Sequence, residues 1–354
     1  MSMSTADVAA AHPAHAHRPP ASAVRGRRAA GLAAAVVVLL LAALASVAFG
    51  ARQVSFPTVL EALTAFDPAN GDHAVVLSRV PRTVTGLLVG AALGLAGAAL
   101  QGVTRNPLAD PGILGLNAGA AFAVVTAIYV FGVTSLAGYV WFALAGTAAA
   151  AAVVYAVASM GREGATPVKL ALAGAALSAG LTSLLSAVLV GSQQTLDTFR
   201  FWQVGSVSGR GWDILAPVAP FLAVGALLVL GAGRVLNGLS LGDDVARALG
   251  QRVGLTRGVT AAGVVLLCGA ATAAAGPIAF LGLVVPHAVR GLTGPDYRWI
   301  LPFSALLAPA LLLVADVVGR LVLPPGEIPV GIMTAVLGAP VFIWLIRRRK
   351  LAAL

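Results

Sequence analysis

Apolar residues along this chain keep neither the period of an amphipathic helix nor that of a strand. They run in blocks free of Asp, Glu, Lys and Arg: 29–51, 83–104, 111–161, 170–196, 214–233, 258–289, 299–315 and 328–346. A helix that crosses hydrocarbon needs about 20 such residues, because each adds only about 1.5 Å of rise. The pattern predicts an all-α integral membrane protein. The block at 111–161 is too long for one crossing and divides naturally near 132–138. The block at 258–289 is interrupted by Gly276-Pro277, and its second part, from Ile278 to about Leu292, is short for a span. Reading it as one crossing gives nine helices in all, and reading it as two gives ten.

Charge decides between these counts. Lys and Arg concentrate on the cytoplasmic side of membrane proteins. Ten spans with an internal N-terminus put 17 of the 23 Lys and Arg residues inside and six outside. Nine spans invert everything after the interrupted block and reduce the split to 12 against 11. The expectation is therefore about ten transmembrane helices with both termini cytoplasmic. Acidic residues divide six inside and seven outside, so the asymmetry belongs to the cations, as the rule requires.

Composition agrees. Hydrophobic residues make up 59% of the 354 and charged residues 10%, with mean hydropathy +0.93. Soluble domains carry about 25% charged residues, so soluble enzymes and nucleic-acid-binding proteins are excluded despite a net charge of +10. Residues 1–28 read as a disordered cytoplasmic tail, and 29–350 as the membrane domain. Arg25-Gly26-Arg27-Arg28 precedes an apolar run longer than a signal-peptide core, which predicts a retained first helix. His12, His15 and His17 lack a fourth ligand, so no metal site is expected there. The single cysteine, Cys268, rules out an internal disulfide framework.

Within the spans Ala, Gly, Leu and Val dominate. Gly86, Gly90 and Gly94 recur every four residues and leave one helix face as bare backbone, suited to close helix packing near a central pathway. Pro286, Pro309 and Pro340 fall inside spans and predict local kinks or breaks. Ionisable groups at membrane depth usually mark ion pathways. Here Asp316 and Glu327 sit at the outer ends of the last two spans and His287 near an inner end, leaving no midplane carboxylate to hold a coupling ion. Nor is there a phosphate-binding G-x-x-x-x-G-K-[ST] loop, since Lys169 follows Val168 and Lys350 follows Arg349. Uphill movement of a solute would draw its energy from a partner. No cofactor is expected in the chain itself, and no catalytic cluster points to an enzyme.

Three polar segments interrupt this background. Residues 101–112, Gln-Gly-Val-Thr-Arg-Asn-Pro-Leu-Ala-Asp-Pro-Gly, form an internal turn. Residues 241–250, Leu-Gly-Asp-Asp-Val-Ala-Arg-Ala-Leu-Gly, lie in the longest internal loop, about 234–257. They predict a short helix capped by Asp243 or Asp244 and ended by Gly250, with Val245, Ala248 and Leu249 as an apolar face. The third segment runs from Gly276-Pro277-Ile278-Ala279-Phe280 through Val285-Pro286-His287 to Arg290. Taken in order with Arg79-Val80-Pro81-Arg82, Trp202-Gln203-Val204-Gly205-Ser206, Ala315-Asp316-Val317-Val318-Gly319-Arg320 and Pro325-Gly326-Glu327-Ile328-Pro329-Val330-Gly331, the chain resembles the FecCD family of ABC importer permeases over roughly residues 30–350.

That resemblance implies a ten-helix permease subunit in the cell membrane, paired with a second permease subunit, identical or related, around a central pathway. Cytoplasmic ATPase subunits would bind ATP and Mg, and an extracytoplasmic binding protein would deliver an iron(III)–siderophore complex. Haem and vitamin B12 are the alternative substrates, and a stand-alone secondary transporter is the alternative class. The resemblance places Asp243, Asp244, Val245, Ala246, Arg247, Ala248, Leu249 and Gly250 in the loop that docks on the ATPase. It also assigns Arg79, Arg82 and Arg320 to pairing with glutamates of the binding protein.

Overall fold

Hydrocarbon offers no partner for a peptide N–H or C=O, so a chain this apolar must satisfy its backbone internally. The computed structural model describes residues 21–50, 52–160, 165–324 and 326–351, and every regular element among them is helical. The tail histidines lie outside the described residues. In order the helices are α1 (Ala21–Ala48), α2 (Phe56–Thr64), α3 (Gly71–Thr104), α4 (Leu116–Phe131), α5 (Leu136–Ser159), α6 (Pro167–Gly191) and α7 (Gln193–Gln203). There follow α8 (Trp212–Gly231), α9 (Gly233–Ser240), α10 (Asp243–Ala248), α11 (Val253–Ala275), α12 (Leu281–Thr293), α13 (Tyr297–Val322) and α14 (Val330–Leu351).

Among the described residues, seven helices are long and apolar enough to cross a membrane: α1, α3, α5, α6, α8, α11 and α13. The long apolar block divides where the glycines predict. Helix α4 ends at Phe131, Gly132 takes a left-handed conformation with φ 64°, and Ser135 caps α5 by accepting from the Gly138 N–H. Helix α1 begins at Ala21, inside the segment expected as tail. Proline kinks are expected at Pro286, Pro309 and Pro340, and α12, α13 and α14 run continuously through them.

Helix α3 is the centre. It has 34 residues, is mostly buried, and packs on α13, α11, α12 and α8. Its glycine face explains the closeness. A Cβ on Gly86 would fall 2.5 Å from Leu313 Cδ2, and one on Gly94 would fall 2.5 Å from Ser304 O. One on Gly90 would overlap the Pro309 backbone, and one on Gly97 the Gly282 backbone. Residues 313, 309 and 304 descend α13 as 86, 90 and 94 climb α3, so the two helices run antiparallel with backbones in contact. The stripe expected near a pathway is occupied by packing against α13 and, beyond it, α12.

The interrupted block breaks as its Gly-Pro predicts. Helix α11 stops at Ala275, and residues 276–280 are irregular before α12 begins. Gly276 has φ 75°, and a Cβ there would overlap Trp202 O. The broken backbone finds a partner on a neighbouring segment, where Ser206 N–H donates to Ala275 O at 2.7 Å, and that segment is tied in turn to α14 by Gly331 N–H donating to Gly205 O at 3.0 Å. Non-helical backbone at membrane depth survives only with such partners.

Replacing Gly90 with Leu should force α3 and α13 apart and destabilise the protein by about 3 kcal/mol or more. Gly231→Leu, at the end of α8 where a Cβ meets nothing within 4 Å, should leave stability unchanged. Thermal unfolding of the two detergent-solubilised variants against the parent protein checks the contrast.

Candidate functional site

Two arginines close the C-terminal end of α1. The last carbonyls of a helix lack partners within it, and that end carries partial negative charge. Arg79, from α3, donates Nη1 to Val47 O and Ala48 O, both at 2.8 Å. Arg320, from α13, donates Nη1 to Ser46 O at 3.0 Å and to Phe49 O at 2.8 Å. Both side chains are nearly fully buried.

Arg82 lies one turn further along the same face of α3. It donates Nε and Nη2 to the Asp316 carboxylate at 3.0 and 2.7 Å, a two-pronged arrangement that suits a planar guanidinium. Its Nη1 donates to Glu327 Oε2 at 2.7 Å and to Ser208 Oγ at 3.2 Å. Asp316 also pairs with Arg320 at 3.0 Å, and its side chain is only 1% exposed. One network thus joins α1, α3, α13, the 204–211 loop and the loop before α14. Glu327 is pushed upward by burial, but the Ser208 hydroxyl and the Arg82 guanidinium outweigh this and hold it below the usual glutamate range. Its contribution to stability is therefore present above about pH 4.5 and lost as pH falls through the lowered value.

These groups border an outward-opening cavity of about 550 Å³, with Ser78, Ser208 and Gly209 on its walls. The three arginines named from sequence are brought together there, joined by a fourth. Arg210 is buried, donates Nε to Ser206 O at 3.1 Å, and has no acidic partner among the described residues. Burial pushes its guanidinium down to about 10. Four arginines against Asp316 and Glu327 leave the cavity with two excess positive charges. Arg210 was legible only as one of six outer cations, because nothing in its spacing separates it from a head-group anchor.

The opposite end of the molecule carries α10. Asp243 and Asp244 occupy its first turn, where negative charge suits the helix dipole, while the N-cap position falls to Gly242 and no side chain caps it. The expected aspartate cap is absent because Asp243 bridges instead. Its Oδ1 accepts from Arg105 at 3.1 Å, beyond α3, and from Arg257 at 2.8 Å, on α11. The helix ends as Gly250 predicts. Gly250 has φ 80°, its N–H donates to Arg247 O at 2.9 Å, and Gln251 N–H donates to Ala246 O at 3.0 Å. This is the paired closure that favours glycine in the left-handed region. Ala246 is buried beneath the helix, whereas Val245, Ala248 and Leu249 are exposed, Leu249 by 64%. These three side chains form an apolar face that nothing else in the described chain covers.

The sequence profile of the FecCD transport family matches residues 38–348. The chain belongs to the FecCD transport family. It is 45% identical over 323 residues to the ferric enterobactin transport system permease protein FepD of Escherichia coli (strain K12), covering 91% of this chain and 96% of that protein. It is 42% identical over 320 residues to the iron(3+)-hydroxamate import system permease protein FhuB of Bacillus subtilis (strain 168), covering 90% and 83%. A solved metal-chelate type ABC transporter in an inward-facing conformation superposes with a TM-score of 0.79 at 29% identity, covering 90% of this chain and 99% of the other. This FecCD chain is a multi-pass membrane protein and a transport component.

Arg82→Ala should destabilise the FecCD fold by about 3–5 kcal/mol, because Asp316 is then left buried with half its compensation. Glu327→Gln, at the solvent edge, should cost under about 1 kcal/mol. Thermal unfolding of the purified variants at pH 7 separates the two.

Proposed function

We propose that this chain is the transmembrane permease subunit of an ABC importer that moves an iron(III)–siderophore complex from an extracytoplasmic binding protein into the cytoplasm. The observation that carries the reading is identity along nearly the whole chain with FepD and FhuB, both named for iron chelates. In this reading the chain crosses ten times: the seven long helices are completed by α4, α12 and α14, and both termini are cytoplasmic. A second permease subunit would stand beside the outward-facing apolar surface of α6, which is mostly exposed in the single chain.

The two ends of the molecule support the division of labour. The outer cavity, with its excess of positive charge, suits an acidic residue on a binding protein, and charge complementarity steers such docking. Arg79 and Arg320 hold α1 there, which leaves Arg82 and Arg210 as the cations nearest to an incoming carboxylate. At the other end, α10 offers Val245, Ala248 and Leu249 to an ATPase subunit, where ATP and Mg would be bound. Asp316, clamped by Arg82 and Arg320, is not a vacant carboxylate for a coupling cation, which weighs against a stand-alone carrier.

The reading is tested by reconstituting the chain with its ATPase subunits and binding protein in vesicles. ATP-dependent uptake of one of iron(III)–enterobactin, an iron(III) hydroxamate or iron(III) citrate is expected. Uptake without ATP would overturn the importer class, and uptake of haem or vitamin B12 alone would overturn the substrate. Ala248→Trp, on the exposed face of α10, should reduce uptake about tenfold or more while the purified chain melts at the parent temperature. Unchanged uptake would remove α10 as the docking helix.

A further inference from the structure

A second cavity, of about 530 Å³, opens beside α10 on the side of the molecule away from the arginine cluster. Its walls are apolar side chains from several spans, among them Leu100, Val154, Leu170 and Val264, with Tyr155 at its margin. Its mouth is basic: Arg247, Gln251, Arg252 and Arg257 lie along one end. This combination of greasy wall and cationic rim is unlike the outer cavity, and only Arg247 is shared with the loop read as docking on the ATPase.

The polar end is incompletely satisfied. Arg257 Nε and Gln251 Oε1 are buried without a hydrogen-bond partner among the described residues. Arg252 has no acidic partner among the described residues and stands at the N-cap of α11 with no side chain capping that helix. The first turn of α11 holds no acidic residue, and a Cβ on Gly254 would meet nothing within 4 Å. Free N–H groups, the positive end of a helix dipole and open space together favour an anion. Asp243 and Asp244 neutralise only part of the charge. Arg105, Arg247 and Arg257 share these two carboxylates, and Arg252 adds a fourth cation.

We infer that this cavity is a binding site for an anionic phospholipid, with the phosphate at Arg247, Arg252 and the start of α11 and an acyl chain along the apolar wall. Arg257 Nε would donate to the same head group, and Gln251 Oε1 would accept from a head-group hydroxyl such as those of phosphatidylglycerol. Basic pockets between membrane helices at a cytoplasmic surface are suited to such head groups. A soluble anion would satisfy the arginines but leave the apolar wall in water, which is why a lipid fits better than a free phosphate. The inference needs only that the chain sits in a membrane, and it stands whether or not the importer reading holds.

The test titrates the purified full-length chain, in neutral detergent, with dioctanoyl phosphatidylglycerol, following melting temperature and bound lipid by native mass spectrometry. Dioctanoyl phosphatidylcholine and glycerol 3-phosphate serve as comparisons. Phosphatidylglycerol should raise the melting temperature and remain bound, and the other two should do so only at about tenfold higher concentration or more. The R247Q/R252Q double variant should weaken phosphatidylglycerol binding about tenfold or more, and R200Q, which removes a distant exposed cation, should not. Val264→Phe, which fills the apolar wall without touching a charge, should weaken it as well and covers the case in which the double variant fails to fold. Equal response to phosphatidylcholine, saturation by glycerol 3-phosphate at the same concentration, or equal loss in R200Q would overturn the site.

Discussion

Everything in this fold depends on how closely α3 can approach its neighbours. Between helices in hydrocarbon the hydrophobic effect gives no drive, so association rests on dispersion contacts and on backbone proximity. Gly86, Gly90, Gly94 and Gly97 supply that proximity, and no other residue fits, since a Cβ at each position would meet α13 or the start of α12. Because α3 is held this way, its ends become fixed platforms. Arg79 and Arg82 project from one end and Arg105 lies just past the other.

The outer platform shows how a membrane domain disposes of charge. Four arginines, an aspartate and a glutamate converge near the edge of the bundle, where each buried ion would be costly alone. Arg79 and Arg320 answer the terminal carbonyls of α1, Arg82 and Arg320 together clamp Asp316, and Arg210 keeps only a carbonyl. The four arginines are therefore not equivalent within the chain. Arg79 and Arg320 are bound to α1 through their Nη atoms. Arg210 is the one whose charge is least answered from within the chain.

Much of this was legible from residue order. Charge-free blocks locate the long helices, Gly132 and Gly276-Pro277 mark the breaks, and Gly250 marks the end of α10. These signals work because each rests on a local rule: hydrocarbon length, or the left-handed backbone that glycine tolerates. What escaped depends on distant pairs. The partnership of Arg82 with Asp316 and Glu327 spans more than 230 residues, and no local pattern announces it. The outer helices α2 and α7 escaped for another reason: at 9 and 11 residues they are too short to register as spans. The aspartate cap of α10 failed because a better partner was available. Two arginines compete for Asp243 and hold it across the surface, away from its own helix end.

That competition bears on how the two faces communicate. Asp243 fastens α10 to the residue following α3 and to α11, two of the three most buried spans in the bundle. A short helix tethered by a flexible loop would move without disturbing the membrane domain. One latched to α3 and α11 cannot shift without breaking both ion pairs or carrying those helices along. Helix α3 in turn contacts α13 through bare backbone and reaches Asp316 through Arg82. Packed backbones of this kind have few intermediate arrangements, since a small separation forfeits contacts that side chains cannot restore. The chain of contact from α10 to the outer cavity is therefore short and stiff, made of one latch, one glycine-lined helix and one clamp.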